Sequence, residues 1–197
     1  MQLRTPRLFF LIVSLSILYS CSRTVQLPST TAIGGVTGGK NRVLIVPIAI
    51  DDRQDRELSG SGPGIDLYPD DQEIPIWFTQ RLKGELKAGG FRVFERSTHG
   101  NTTSVSAHIK VFFTEGITHI AAYSFETDIS VLIFVKRSDG LEAKRNYYVK
   151  GTQYGESHSK GHYIRAQEKA TDKLMTRIVQ DLISLMDTYP EEEVSVK

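Results

Sequence analysis

The stretch YSFETDISVLIFVK, residues 123–136, decides the fold. Its mostly apolar side chains recur at every second position, which is the period of a β-strand with one buried face. The members of that face are Phe125, Thr127, Ile129, Val131, Ile133 and Val135. The opposite face mixes polar side chains with Leu132 and Phe134. The turn signal Ser138-Asp139-Gly140 follows, so residues 141–153 are predicted to return as the partner strand of a hairpin.

Strands are also predicted upstream of this hairpin. Residues 105–113 alternate in the same way, with Val105, Ala107, Ile109, Val111 and Phe113 expected on one face. The continuous apolar run RVLIVPIAI, residues 42–50, is typical of a strand covered on both faces. Residues 91–95 give a further short strand. Residues 51–71, which directly follow the run 42–50, are rich in Gly, Pro and Asp, so a long loop is expected there.

Two amphipathic helices complete the pattern. One is predicted from about Pro75 to Ala88, with an apolar stripe formed by Phe78, Leu82 and Leu86. The other spans residues 163–186. This order of elements predicts an α+β two-layer sandwich, in which a mixed, mostly antiparallel sheet carries both helices on one face. A right-handed crossover would make the strands that begin at Arg42 and Phe91 parallel.

The N-terminus has the layout of an export signal. Arg4 and Arg7 precede the apolar residues 8–18, LFFLIVSLSIL. As a helix this segment spans about 16 Å, roughly half of a hydrocarbon core, so a permanent transmembrane helix is not expected. Cys21, the only cysteine, stands directly after the signal, and an intramolecular disulfide is therefore excluded.

The residues Leu18-Tyr19-Ser20-Cys21 resemble the lipobox of bacterial lipoproteins. The resemblance implies cleavage before Cys21, a diacylglyceryl thioether on its sulfur and acylation of the new N-terminus. Ser22, in place of Asp, implies sorting to the periplasmic face of the outer membrane. The alternative is an incidental cysteine beside an ordinary secretory cleavage site.

These features divide the chain into four parts. They are a signal peptide (1–20), the lipidated Cys21 with a flexible linker (21–41), one α+β domain (42–188) and an acidic tail (189–197). Removal of residues 1–20 deletes two of the 24 basic residues and none of the 23 acidic ones, which leaves a net charge of −1. Nucleic acid is therefore not an expected partner.

The domain is similar in layout to the YajG-like family of bacterial lipoproteins. The similarity rests on the lipobox, on Asp51-Asp52-Arg53 after the first strand, and on Gly90-Phe91-Arg92-Val93 after the first helix. It extends to Tyr147-Tyr148-Val149-Lys150-Gly151 and to Gln180-Asp181-Leu182. Auxiliary lipoproteins of lipid-transporting ABC systems are similar too, since they place a Trp-containing helix, here Ile76-Trp77-Phe78, after a long loop. Neither family implies a catalytic residue.

No catalytic motif is recognisable, and no cofactor or metal site is predicted. The segment 34–40, GGVTGGK, matches part of a phosphate-binding loop, but Asn41 stands where Ser or Thr would bind magnesium. His158 and His162 lie in a glycine-containing stretch that favours a loop. The candidate partner-binding residues are the loop cations Arg53 and Arg56 and the aromatic residues Trp77, Tyr147 and Tyr148. Most of the aromatic residues are expected in the core or half-buried in the sheet, and any that are exposed together would indicate a binding surface.

The sequence thus predicts a non-enzymatic lipoprotein that is anchored in the outer membrane and binds an envelope protein through its sheet face or the loop after Ile50. An alternative is a lipid or small-ligand carrier of an ABC-type transport system, with an apolar groove between helices and sheet. A hydrolase would instead require a cleft in which titratable side chains converge. The oligomeric state is left open.

Overall fold

The computed structural model describes residues 23–25, 27–56, 59–62, 65–69, 73–96 and 102–189. The predicted signal peptide, the lipidation site Cys21 and residues 190–197 of the predicted acidic tail lie outside these ranges. Within them the chain forms one mixed, mostly antiparallel sheet and two helices, so the predicted fold class is confirmed. The elements are β1 (Arg23–Val25), β2 (Val43–Ile45), β3 (Ile50–Asp51), β4 (Gly60–Gly62), β5 (Ile65–Pro69), α1 (Ile74–Ala88), β6 (Arg92–Phe94), β7 (Thr103–Thr118), β8 (Tyr123–Lys136), β9 (Glu142–Gly155) and α2 (Lys160–Thr188).

Strand β7 is the centre of the sheet. One of its edges pairs antiparallel with β8 along the whole length, and β8 pairs antiparallel with β9. The other edge pairs in turn with the short strands β2, β3 and β4, all parallel to it. Strand β6 lies parallel to β2, as the crossover rule predicted. The short strands therefore follow one another along a single long neighbour.

The region around β2 to β5 differs from the expectation. The predicted strand 42–50 is divided into β2 and β3, because Pro47 has no N–H to donate to a strand ladder. The predicted loop 51–71 contains β4 and β5, which form an antiparallel pair with Gly60 opposite Leu67. Glycines at β4 fit this position, because a Cβ on Gly60 would lie 2.4 Å from the carbonyl oxygen of Thr114.

A β-bulge in β7 changes which side chains face the core. The register with β8 shifts between Ile109 and Val111. Because one extra residue reverses the alternation, Val111 is 38% exposed and Phe112 is buried. The prediction that Val111 and Phe113 share the inner face was wrong for this reason.

The core lies between the sheet and both helices. Most of its side chains come from α1, α2 and the inner face of the long strands, and Leu44 comes from β2. The large, completely buried members include Trp77, Phe78, Phe112, Leu44, Ile74, Leu82, Leu86, Ile109, Ile129, Ile133 and Leu174. Helix α2 approaches β9 very closely, since a Cβ on Gly151 would lie 2.3 Å from the carbonyl oxygen of Ala166. A smaller buried cluster of Leu67, Phe125, Tyr163 and Ala166 extends the core toward the β7–β8 turn.

Residues 27–39, which we call the strap, lie across helix α1. Trp77 Nε1 donates a hydrogen bond to the carbonyl oxygen of Pro28 at 2.7 Å, and Leu27 is buried in the core. At the other end, the backbone N–H of Gly39 donates to the carbonyl oxygen of Gly89 at 2.9 Å. Composition had indicated a flexible linker over residues 21–41, and the described part of it is instead bound to the domain.

A buried ion pair holds the middle of the strap. Arg81 donates to the carbonyl oxygens of Ser29, at 3.0 Å, and of Thr31, and its guanidinium lies 2.8 Å from Glu85. Glu85 in turn accepts hydrogen bonds from the backbone N–H groups of Ile33 and Gly34, at 2.8 and 3.3 Å. The side chains of Arg81 and Glu85 are only 5% and 8% exposed. The strap is therefore recognised through its backbone.

Candidate binding face of the sheet

The three long strands present one face to the helices, and within the described residues no helix covers the other. We call the uncovered side the outer face. The part of it considered as a binding surface includes Ser104, Ser106, His108, Val111 and Phe113 from β7, Ser130, Leu132 and Phe134 from β8, and Lys144, Asn146 and Tyr148 from β9. The charged residues Glu115, Glu126, Asp128 and Lys150 lie on the same face nearer the β7–β8 turn. Val111, Ser130 and Tyr148 lie side by side in one row across the strands, and Ser106, Phe134 and Lys144 in another. Apolar and polar side chains thus alternate on it.

An ionic cluster borders this face beside the bulge. Asp52 accepts a hydrogen bond from Lys110 Nζ at 2.6 Å, and its carboxylate lies 3.0 Å from His108 Nδ1. The hydrogen bond from Lys110, together with that from His108, holds the pKa of Asp52 below its ordinary value. Asp52 is therefore ionised at neutral pH and fixes the loop after β3 against β7.

The two predicted arginines of that loop have different environments. Arg53 is buried and binds Asp51 through two hydrogen bonds, from Nε at 2.9 Å and from a terminal nitrogen at 2.8 Å. A terminal nitrogen of Arg53 also donates to the carbonyl oxygen of Arg56 at 2.7 Å. Arg56 itself is exposed. Arg53 therefore shapes the loop, whereas Arg56 is accessible to a partner.

Two cavities open on the outer face. One has a volume of about 380 Å³ and lies where β7 begins and β8 ends. It is lined by Ser104, Ser106, Phe134, Val135, Lys136, Glu142, Ala143 and Lys144. Lys144 Nζ lies 5.3 Å from the centre of the Phe134 ring, which is a cation–π distance. The other cavity, of about 440 Å³, lies between the loop residues 53–55 and the bulge. Its walls include Lys110, Val111 and Phe113.

The predicted aromatic candidates are not brought together. Trp77 is fully buried and packs edge-on against Phe112, so it offers no surface to a partner. Tyr147 is buried beneath α2, where burial and a 3.0 Å hydrogen bond to Asp181 raise the pKa of its hydroxyl. Tyr148 is 57% exposed on the outer face, and its hydroxyl donates to Asp128. Of the three, only Tyr148 lies on the candidate surface.

Sequence reasoning missed the other residues of this surface. The sequence pattern places Leu132 and Phe134 on a mixed strand face but does not single them out as candidates for binding. Apolar side chains on the face opposite a complete core face are the signal that could have identified them. Val111 was placed in the core because the bulge was not foreseen. Asp52 and Lys110 are far apart in sequence, and only the parallel pairing of β3 with β7 makes them neighbours.

One edge of β9 pairs with no strand among the described residues, and it carries a regular set of contacts with α2. Three cations on one side of α2, one every fourth residue, donate to carbonyl oxygens of alternate β9 residues. These contacts are Lys169 to Thr152 at 3.1 Å, Lys173 to Lys150 at 3.1 Å and Arg177 to Tyr148 at 3.3 Å. They match because four helical residues and two strand residues each advance about 6 Å. Acceptors that an additional strand would use are thus occupied by side chains.

Neutralising these cations is expected to promote association through β9. The variant Lys169→Gln/Lys173→Gln/Arg177→Gln should sediment in detergent as a larger, concentration-dependent species, because its edge offers unprotected carbonyls. The matched control, Lys87→Gln/Lys160→Gln/Arg165→Gln, removes the same charge elsewhere on the helices. Identical sedimentation of the two variants would show that the cations do not protect the edge.

Two further features concern metals and membranes. In the described part of the chain, no three His, Cys, Asp or Glu side chains are arranged to hold a metal ion. His162 belongs to the first turn of α2 and not to a loop, because that helix begins at Lys160. Neither described helix is both long and apolar enough to cross a membrane.

Comparisons with known proteins identify a shared fold. No protein-family model matches the sequence, and no curated protein sequence does. A Xanthomonas campestris protein assigned to DUF330 superposes with a TM-score of 0.57 at 13% identity, over 84% of this chain and 98% of its own. The crystal structure of an uncharacterized protein superposes with a TM-score of 0.54 at 9% identity, over 81% of this chain and 99% of its own. At these identities both similarities describe the fold alone.

A bacterial lipoprotein is also among the similar structures. The minor lipoprotein from Acinetobacter baumannii superposes with a TM-score of 0.42 at 11% identity, over 66% of this chain and 94% of its own. The solved structures similar to this chain thus include a DUF330 protein and a bacterial lipoprotein. The YajG-like resemblance and the lipobox stay predictions.

Proposed function

We propose that this protein is a non-enzymatic binding module of the bacterial cell envelope, anchored through lipid on Cys21 at the periplasmic face of the outer membrane. Its partner is an envelope protein, which it binds through the outer face. The observation that carries the proposal is the uncovered, partly apolar face of β7, β8 and β9, opposite a fully packed core. Val111 and Tyr148 are exposed on this face and Leu132 and Phe134 are half-buried, so together they form an apolar patch of the kind that marks interaction sites.

The composition of the outer face supports a protein partner. Its centre contains Val111, Leu132, Phe134 and Tyr148, and charged groups surround this centre. An apolar centre that includes aromatic residues, with a polar rim, is the usual anatomy of a protein–protein interface. The ionic cluster of Asp52, His108 and Lys110 lies at one border and Lys144 at another.

The strands also make this face a stable platform. Strands β7, β8 and β9 are 16, 14 and 14 residues long and pair continuously, apart from the single bulge. Residues on a continuous ladder are held more precisely than residues on a loop, which lowers the conformational entropy lost on binding. The exposed Arg56 adds a cation in the loop after β3.

The proposal is tested by photo-crosslinking in cells with the full chain. A photoreactive residue at Val111 or Tyr148 should give a discrete adduct with one envelope protein, and the same group at the exposed Gln180 of α2 should not. Adding Phe134→Asp should abolish the adduct, because a buried charge without a partner is costly at an interface. Equal adducts from all three positions, or adducts that persist with Phe134→Asp, would contradict the proposal.

The full chain purified from the same cells also tests the alternative that the protein carries a lipid or small ligand. The interface between helices and sheet contains completely buried side chains such as Trp77, Phe78 and Leu174, which favours a packed interior over a groove. A lipid that co-purifies in stoichiometric amount, beyond the acyl groups on Cys21, would favour carriage instead. Mass spectrometry of the intact protein and of extracted lipids distinguishes the two.

A further inference from the structure

The lipid anchor has very little chain between it and the sheet. Only Ser22 separates Cys21 from Arg23, the first residue of β1. Two fully extended residues span about 7 Å. Wherever the lipid places Cys21, the end of β1 must therefore lie within about 7 Å of it.

Strand pairing gives the direction in which the chain reaches the anchor. β1 is parallel to β5, with Arg23 beside Leu67. β5 is antiparallel to β4, and β4 is parallel to β7, with Gly60 opposite Leu67 and beside Thr114. Traced backward toward Cys21, β1 thus runs in the same direction as β7. At Arg23 the direction of β1 therefore points toward the end of the sheet that carries the β7–β8 turn, residues 119–122.

The β7–β8 turn extends beyond the anchor. Arg23 is level with Thr114, so a fully extended chain brings Cys21 about level with Gly116. Strand β7 continues to Thr118 before the turn begins. The turn therefore projects at least two strand residues, about 7 Å, past the attachment point. If residues 21–22 are less than fully extended, the turn projects further past Cys21.

The side chains at this end suit a lipid environment. Ile120, at the tip of the turn, is fully exposed, with a relative exposure of 109%. Its neighbours Ala121 and Ala122 are small and uncharged. Tyr154, which pairs with Ser124 near the same end, is 69% exposed. Apolar tips with adjacent tyrosines are characteristic of segments that enter a membrane interface.

The surroundings of the turn provide charged groups at headgroup level. Lys160 and Arg165 are exposed in the first two turns of α2, and the acidic Glu156 is exposed just before that helix. Glu115 is also exposed near this end, on β7, so the two cations and two anions balance and apolar insertion, not charge, dominates the attraction to the membrane. The opposite end of the sheet, at Ser138, lies a strand of 14 residues away, about 45 Å.

On this geometry we propose that the β7–β8 turn contacts the membrane that holds Cys21, with Ile120 inserted into the boundary between headgroups and acyl chains. The occupant of this surface is the bilayer itself. The inference rests on the lipid anchor of the proposed function. It adds that the long strands stand away from the bilayer and that the outer face is presented sideways, accessible to a partner in the periplasm.

The experiment uses the processed full chain, purified from membranes and reconstituted into vesicles of phosphatidylethanolamine and phosphatidylglycerol. An environment-sensitive fluorophore is attached to Ile120→Cys or, as the matched control, to Ser138→Cys in the exposed turn at the other end. The label at position 120 should be quenched severalfold more by nitroxides on the acyl chains than the label at 138. Water-soluble iodide should give the reverse order.

A second labelled protein keeps the apolar tip intact and carries the fluorophore at Thr118→Cys. Adding Ile120→Asp to it should increase iodide quenching severalfold, because a carboxylate leaves the interface. If both labels at 118 and 120 are as accessible to iodide as the label at 138, the inference is overturned.

Intact mass separates this failure from a failure of the anchor. A lipid adduct on Cys21 with an exposed label at 120 overturns only the membrane contact of the turn. An unmodified thiol at Cys21 in a soluble protein overturns the proposed anchor and, with it, this inference.

Discussion

Replacing Trp77 with alanine is expected to lower the free energy of unfolding by about 3–5 kcal/mol. Trp77 is completely buried, packs edge-on against Phe112 and donates to the carbonyl oxygen of Pro28 in the strap. The substitution leaves a large cavity in the core and an unpaired carbonyl in the strap. The change is measured as a shift of the midpoint of urea unfolding, monitored by circular dichroism.

The adjacent Ile76 provides the matched control. It occupies the same helix and is 38% exposed, so Ile76→Ala should change the free energy of unfolding by less than about 1 kcal/mol. Equal effects of the two substitutions would mean that Trp77 does not have the structural role described. A folded Trp77 variant that still binds the envelope partner would show in addition that Trp77 stabilises the core and does not contact the partner.

Replacing Arg81 with methionine is the second substitution with a large expected effect. It leaves the carboxylate of Glu85, 8% exposed, without its cation, and it removes the donor to two strap carbonyls. Loss of one member of a buried ion pair costs about 3–5 kcal/mol. The expected result is a lower unfolding midpoint together with rapid proteolytic cleavage within residues 27–39.

Two further variants test the reason for this effect. Arg81→Met/Glu85→Gln removes both charges of the pair. Part of the lost stability should return relative to Arg81→Met alone, and the remainder includes the contact of Arg81 with Asp172 at 3.0 Å, which neither variant restores. Lys87→Met changes an exposed cation on the same helix and should have almost no effect. A strap that stays protected from protease in Arg81→Met would contradict the assigned role of the ion pair.

The sequence predicted helices and strands well where the apolar side chains recur with a single period. Strand β8 covers the predicted residues 123–136, and its inner face is the predicted one. Helix α1 begins one residue before the predicted Pro75, and α2 is longer than predicted at both ends. Burial of one face imposes these periods, so they can be read without knowledge of the neighbouring elements.

Predictions failed where the structure depends on contacts between distant residues. The bulge at Val111 arises from the pairing of β7 with its neighbours, and the periodicity of residues 105–113 does not reveal it. The same is true of β4, whose glycines suggested a loop but pair with Thr114 and Glu115 of β7. In both cases a neighbouring strand supplies the constraint that local sequence lacks.

The candidate site was predictable only in outline. The sheet face and the loop after Ile50 were both identified as candidate binding regions, and they do adjoin at the ionic cluster of Asp52 and Lys110. The individual residues of the site were harder to predict, because the exposure of a side chain depends on how distant parts of the chain pack around it. Arg53 and Trp77 are buried, whereas Tyr148 is exposed.

The strap has a consequence for how relatives of this protein can diverge. Trp77, Arg81 and Glu85 hold residues 28–34 through peptide oxygens and N–H groups of that segment. Substitutions at the exposed strap positions Ser29, Thr31 and Ile33 therefore leave these contacts in place, while the buried Pro28, Gly34 with its φ of +72° and the three helical residues are constrained. Among proteins that keep this strap, we therefore expect the spacing W-x3-R-x3-E on the first helix to vary less than the exposed positions of the segment it holds.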